Sequence, residues 1–360
     1  MLAGPYCGLM LADIGAEVIK IETAEGDIGR TVSPHFIGPH NAYFASLNRN
    51  KKSVVLDLAS DEGREALGHI VEKSHALVTN LRPSTIRKLG LTYEALRSWN
   101  ERLVCVALTG YGLDGPYSDN PAYDYVIQAM TGVMALTGDP AAPPTKAGYS
   151  VVDNSAGLVA AIGLLAKIVQ GQGGQVDVAM YDVMLSQLNY LAGAALNAGE
   201  TIERIADSSH PYVVPAQIFS AAGGWLTLFI TRDKFWKKFC EEVGRPEWTQ
   251  EPRFATAAGR RKHRTEVIRA ITEVLRGASA AEWVRRLRPL GIVVAEVGSL
   301  NDALGSEIVA TRALVVPLGD GSLPLRAIAS PIRFDGYAPS YGLPPLLDEH
   351  RTEVLGTAFP

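Results

Sequence analysis

The chain has 360 residues, 47% hydrophobic and 20% charged, with a formal net charge of −4. These are the proportions of a globular protein, and the mildly acidic balance gives no basis for binding nucleic acid or an anionic membrane surface. Cys7, Cys105 and Cys240 stand far apart without paired spacing, which argues against a disulfide framework or zinc site and suits a reducing cytoplasm. No stretch approaches the ~18 uncharged apolar residues of a membrane span. Asp13, Glu17 and Lys20 come too early for a secretory signal.

Residues 5–15 are predicted as a helix, with Pro5 in the first turn and Leu9, Met10 and Leu11 on an apolar face. Gly15 ends it and 16–21 follows as a strand. An α/β fold ordinarily opens with a strand, so a first strand is expected to precede Met1. Residues 53–58, 76–80 and 103–108 read as further strands. A helix at 61–73 carries Asp61 and Glu62 in its first turn and Lys73 at its end. Strands spaced by helices imply an α/β fold with a mostly parallel, doubly wound sheet.

Helices are predicted at 122–136, 153–170 and 179–198, the last two apolar and Ala-rich. From 215 the composition turns basic and rich in Trp, with a strand at 225–230 and helices at 235–243, 264–276 and 280–287. The expected division is a large domain of 1–205 with 315–360 and a smaller α/β domain of 215–310.

Several motifs carry candidate chemistry. Gly110-Tyr-Gly112-Leu-Asp-Gly115 follows a strand and fits G-x-G-x-x-G, but Pro116, Ser118, Asp119, Asn120 and Pro121 follow where a dinucleotide-binding helix would begin. A tight cleft-lining loop is the better reading, without nicotinamide. Asn48-Arg-Asn-Lys-Lys52 is either a solvated loop or a phosphate-holding run. Asn80-Leu-Arg-Pro83, with Arg87 and Lys88, lies past a strand's carboxyl end, where open α/β sheets bind ligands. Gly223-Gly224 is a candidate oxyanion loop or a hairpin turn. Asp153 stands at the mouth of an apolar helix. It is either an N-cap or a nucleophilic carboxylate kept ionised at the helix's positive end.

In order and spacing these pieces resemble the class III CoA-transferases, the family of formyl-CoA transferase and the carnitine CoA-transferases, with 2-methylacyl-CoA racemase as a sister branch. The resemblance rests on Ala3-Gly-Pro-Tyr-Cys7, Leu11 to Glu22, Asn48 to Leu58, Asn80 to Pro83, Thr109-Gly-Tyr-Gly112, Tyr123 to Gly132, Asp153, Gly173 to Val178, Pro252-Arg-Phe254 and Pro345 to His350. It implies a Rossmann-like large domain with a parallel sheet, a smaller α/β domain and an interlocked homodimer in the cytoplasm. It also implies Asp153 as nucleophile, with coenzyme A, as substrate and product, contacting Leu56, Asp57, Asn80, Leu81, Arg82, Lys88, Tyr123 and Asp124. The implied substrates are an acyl-CoA and a small carboxylic acid. Neither a metal nor nicotinamide is called for, nor a nucleic-acid or membrane partner. Thr23 stands where the family often has a basic residue. The racemase branch has Gly-His-Asp where this chain has Ala122-Tyr123-Asp124, which disfavours racemisation because that His is one of its two proton-transfer groups. The alternatives are an acyl-CoA racemase or epimerase and an inactive CoA-binding protein.

Overall fold

The computed structural model describes residues 1–358. The chain divides into two compact units. The first comprises Met1–Gly132, Ala147–Glu200 and the chain from Glu307 onward. The second comprises Val133–Lys146 and Thr201–Ser306. Composition had placed 133–146 in the large domain. In the structure this segment belongs with the second unit, where Arg204 Nη1 donates to the carbonyls of Ala142 and Pro143 at 3.1 Å each.

The first unit runs α1 (Ala3–Asp13), β1 (Val18–Glu22), α2 (Ala42–Asn48), β2 (Lys51–Val55), α3 (Asp61–Glu72), β3 (Ala76–Thr79), α4 (Pro83–Lys88), β4 (Val104–Thr109), α5 (Asp124–Met130), α6 (Val151–Val169), β5 (Gly174–Ala179), α7 (Met180–Gln187) and α8 (Asn189–Ala198). These five strands form two parallel ladders, β1 with β2 and β3-β4-β5 in that order. In register, Lys20 faces Ser53, Val78 faces Val106 and Val106 faces Val176. Every residue of β4 is buried, as befits a central parallel strand covered on both faces. Leu103, Cys105 and Ala107 pack with Leu67, Ile86 and Leu96. Burying each such Leu or Ile contributes about 1.5–3 kcal/mol.

The predicted strand at 53–58 sits at Lys51–Val55, so Leu56 and Asp57 lie just past its carboxyl end. The predicted helix at 122–136 breaks after Met130, because Gly132 takes φ +85°. The helix expected at 179–198 likewise divides at Asn189, φ +20°. β5 was not anticipated.

α1 crosses α6 at Gly157, where a Cβ would stand 2.8 Å from the Ala3 carbonyl oxygen. Only glycine permits that approach, and it fixes the first turns of α6 against the start of α1. α6 is 19 residues long and apolar enough to span a bilayer by length and composition. One side of it, with Val152, Ala156, Ala160 and Leu164, is buried inside this unit.

The second unit holds an antiparallel sheet of β6 (Ala216–Ala221), β7 (Gly224–Phe229) and β8 (Val293–Glu296), in the order β8-β7-β6. Gly223, at φ +76°, closes the β6–β7 hairpin, so the turn reading of Gly223-Gly224 describes its backbone. Helices α9 (Asp233–Glu242), α10 (Arg264–Leu275) and α11 (Ala280–Leu287) build one core with Phe219, Leu226, Leu228 and Val294. Arg260 is fully buried there. It donates to the carbonyls of Val214 and Phe254 and to Asp233, each at 3.0 Å, and lies 4.7 Å over the Trp236 ring.

Candidate active site

The carboxyl ends of parallel strands lie on one edge of their sheet. Leu56 and Asp57 follow β2 in one ladder; Asn80 to Arg82 follow β3, and the glycine loop from Gly110 follows β4, in the other. Asn80 is exposed, and a Cβ on Gly4 would meet its Oδ1 at 2.9 Å, so its side chain lies against the start of α1. Leu81 is exposed, with its N–H bonded to Thr79 Oγ1 at 3.3 Å. Arg82 is exposed immediately before α4. Lys88, also exposed, ends that six-residue helix, roughly 9 Å further on.

Asp57 is exposed, and its Oδ1 accepts the Ala59 N–H at 3.0 Å in a tight turn. Leu56 is buried against Val54, Ala66, Ile70 and Leu355, so only its backbone faces the edge. Tyr123, 67% exposed, precedes α5. If Arg82 and Lys88 hold phosphates, Arg82→Ala and Lys88→Ala should each weaken CoA binding about tenfold, roughly 1.4 kcal/mol. Titration calorimetry with CoA measures this, and unchanged affinity in both would make them ordinary surface charges.

The basic run leading into β2 is committed to ion pairs and hydrogen bonds within the fold. Arg49 is buried, its guanidinium bonded to Asp13 at 2.5 and 2.9 Å. Lys51 is also buried, with Nζ donating to the Pro5 carbonyl at 2.7 Å and to Asn48 Oδ1 at 2.9 Å. Burial pushes its ammonium well below the usual lysine range. Lys52 pairs with Glu17 and Glu353. The run fastens α1 and α2 to the sheet.

Asp153 lies in the first turn of α6, which begins at Val151 rather than at 153. It is not the N-cap. Ser150 holds that position and makes no side-chain cap. The donors are satisfied from outside the helix by Asp124, whose Oδ2 accepts the N–H of Val152 at 2.8 Å and that of Asp153 at 3.4 Å. Among the described residues no donor bonds the Asp153 carboxylate.

Burial, then the charge of Asp124, raise its pKa to about 6. Desolvation and a like charge outweigh the helix end here. At pH 7 it is still about nine-tenths ionised, and more basic than an ordinary Asp. Tyr43, on α2, faces it: burial and then Asp153 raise the phenol's pKa. Sequence reasoning missed Tyr43, for which the sequence carries no local signal. Cys7 is fully buried, its thiol pushed up to about 11, which leaves no thiolate nucleophile there at neutral pH. Among the described residues no cluster of three His, Cys, Asp or Glu side chains is placed to hold a metal ion.

Residues 1–351 match the family model for CoA-transferase family III. The chain belongs to CoA-transferase family III. It is 32% identical over 357 residues to an acetyl-CoA:oxalate CoA-transferase of Acetobacter aceti, covering 97% of this chain and 90% of that protein. It is 34% identical to a succinyl-CoA:mesaconate CoA-transferase of Haloarcula marismortui, covering 99% and 93%. The crystal structure of a CAIB/BAIF family protein from Brucella suis matches with TM-score 0.85 at 30% identity, covering 99% of this chain and 94% of that one. The protein is an enzyme of this family, with the family's mixed α/β fold and parallel strands and with CoA as a substrate.

Proposed function

We propose that this family III CoA-transferase moves CoA from a short acyl-CoA to a small carboxylic acid through covalent intermediates on Asp153. The observation that carries the proposal is the half-buried Asp153 carboxylate, without a donor and with its pKa near 6. Its lone pair attacks the thioester carbonyl, the C–S bond breaks, and CoA leaves as thiolate beside an aspartyl–acyl anhydride. The thiolate attacks the aspartyl carbonyl and releases the donor acid as carboxylate, which leaves an aspartyl-CoA thioester. The acceptor carboxylate attacks that thioester to give a second anhydride and thiolate again. Attack of the thiolate on the acceptor's acyl carbonyl yields the new acyl-CoA and restores Asp153. Electrons balance without a redox partner, and splitting one exchange into four substitutions is what a nucleophile contributes.

The relatives named for oxalate and mesaconate favour a small dicarboxylic acid as acceptor and acetyl- or succinyl-CoA as donor. The test is a matrix of short acyl-CoA donors against mono- and dicarboxylic acids, read by mass. Formation of the acceptor's CoA ester without net thioester hydrolysis supports the proposal. Pure hydrolysis or no turnover across the matrix contradicts it.

The working enzyme is, on this proposal, a homodimer. Within the first unit α8 has no buried residue, and Leu196 is 84% exposed. The outer side of α6 exposes Leu158, Ile162, Leu165 and Val169. Such apolar surface marks an interface, and a second copy accounts for it. Sedimentation across a wide dilution range should give a dimer until the protein unfolds. A folded monomer at low concentration would contradict it.

A further inference from the structure

Asp124 and Gln128 are the buried polar pair that the covalent chemistry leaves unused. Asp124 is 6% exposed and Gln128 fully buried. Gln128 Nε2 donates to Asp124 Oδ1 at 2.5 Å, and Gln128 Oε1 accepts the Ala147 N–H at 2.9 Å. Asp124 Oδ2 takes the N–H groups of Val152 and Asp153. One side-chain pair on α5 thus grips the segment leading into α6 at both ends, before the loop and after it. Ser150 at the cap position makes no side-chain cap. A local Ser, Thr or Asn cap would satisfy those donors without any charge, but here a carboxylate supplies the cap.

We infer that Asp124 and Gln128 form a positioning clamp for the nucleophile: Gln128 orients Asp124, which holds the first turn of α6 and keeps a second negative charge beside Asp153. The inference rests on Asp153 being the nucleophile. Asp124 acts here as a positioning residue, its carboxylate directed inward. The ionisable side chains that face Asp153 are Asp124 from α5 and Tyr43 from α2. Tyr43 stays neutral across the working range, its phenol being raised. Of these neighbours only Asp124 makes the Asp153 carboxylate more basic and so a stronger attacking group.

The experiment is the pH profile of kcat/KM for acyl-CoA in wild type, Asp124→Asn and Gln128→Leu, with Asp153→Ala as control. Asn keeps an oxygen for the α6 N–H groups and removes the charge. Its acid limb, near pH 6 in the wild type, should move to lower pH, a change that a purely structural cap would not give. Gln128→Leu leaves the charge but frees its orientation. It should lower kcat at least about tenfold with KM little changed. The clamp is overturned if folded Asp124→Asn keeps the wild-type limb. Should that variant not fold, an unchanged kcat in Gln128→Leu overturns the clamp instead. An active Asp153→Ala would remove the nucleophile itself. An inactive one, beside unmoved profiles, would remove only the clamp.

Discussion

Replacing Asp153 by Ala should abolish CoA transfer, by roughly 10⁴-fold or more, the scale seen when a covalent nucleophile is deleted. Ala keeps the helix and removes the attacking oxygen. Asp153→Asn should fall almost as far, since an amide is no nucleophile towards a thioester. Folding survives both, because no donor among the described residues depends on the Asp153 carboxylate and the cap of α6 comes from Asp124. Initial rates with the best donor and acceptor, beside far-ultraviolet circular dichroism, measure the effect. Activity within tenfold of wild type in Asp153→Ala would be incompatible with covalent catalysis there. The wild-type rate should itself fall as pH drops below 6, because the protonated carboxyl cannot attack.

Asp153→Asn should also stabilise the protein at pH 8. An Asp pKa of about 6 in the fold, against an ordinary value of 3.8, means that folding disfavours the ionised form. The penalty is absent below pH 4, where the carboxyl is protonated folded or unfolded. It grows between pH 4 and 6 and is complete above 6. Two pKa units correspond to nearly 3 kcal/mol. Solvent reaches part of this side chain, so roughly 2 kcal/mol is expected. Asn avoids the penalty at every pH. Its melting temperature should exceed that of wild type by several degrees at pH 8 and match it at pH 4, measured at one protein concentration. Equal stability at pH 8 would mean that Asp153 is not held against its ionisation. A variant more active than stable would be the reverse of the trade-off expected at a nucleophile.

The carboxyl ends of the strands were legible in the sequence because three of them end in recognisable turn or charge signals: Leu56-Asp57, Asn80-Leu-Arg and Thr109-Gly-Tyr-Gly. Asp153 was legible because a carboxylate before thirteen uncharged residues is conspicuous. β5 and β8 were not, since the stretches around Gly174–Ala179 and Val293–Glu296 read equally well as loop or helix. The run Asn48–Lys52 misled because charge alone does not separate a solvated loop from buried pairs. Arg49 finds Asp13 across 36 residues of chain. Half of the clamp was present in local spacing, as Gln128 stands one turn beyond Asp124. Its other half was not, because the bond to α6 spans 28 residues and only the folded chain brings them together.

The most direct test of covalent catalysis is to trap the intermediate. Acyl-CoA is mixed with enzyme in the presence of hydroxylamine, and the digest is read by tandem mass spectrometry. An acyl- or CoA-activated Asp153 should be converted to the hydroxamate, with a mass increase of about 15 Da on the peptide carrying Asp153, dependent on acyl-CoA and absent in Asp153→Asn. Hydroxamate on another carboxylate, or none while transfer proceeds at full rate, would contradict Asp153 as the nucleophile.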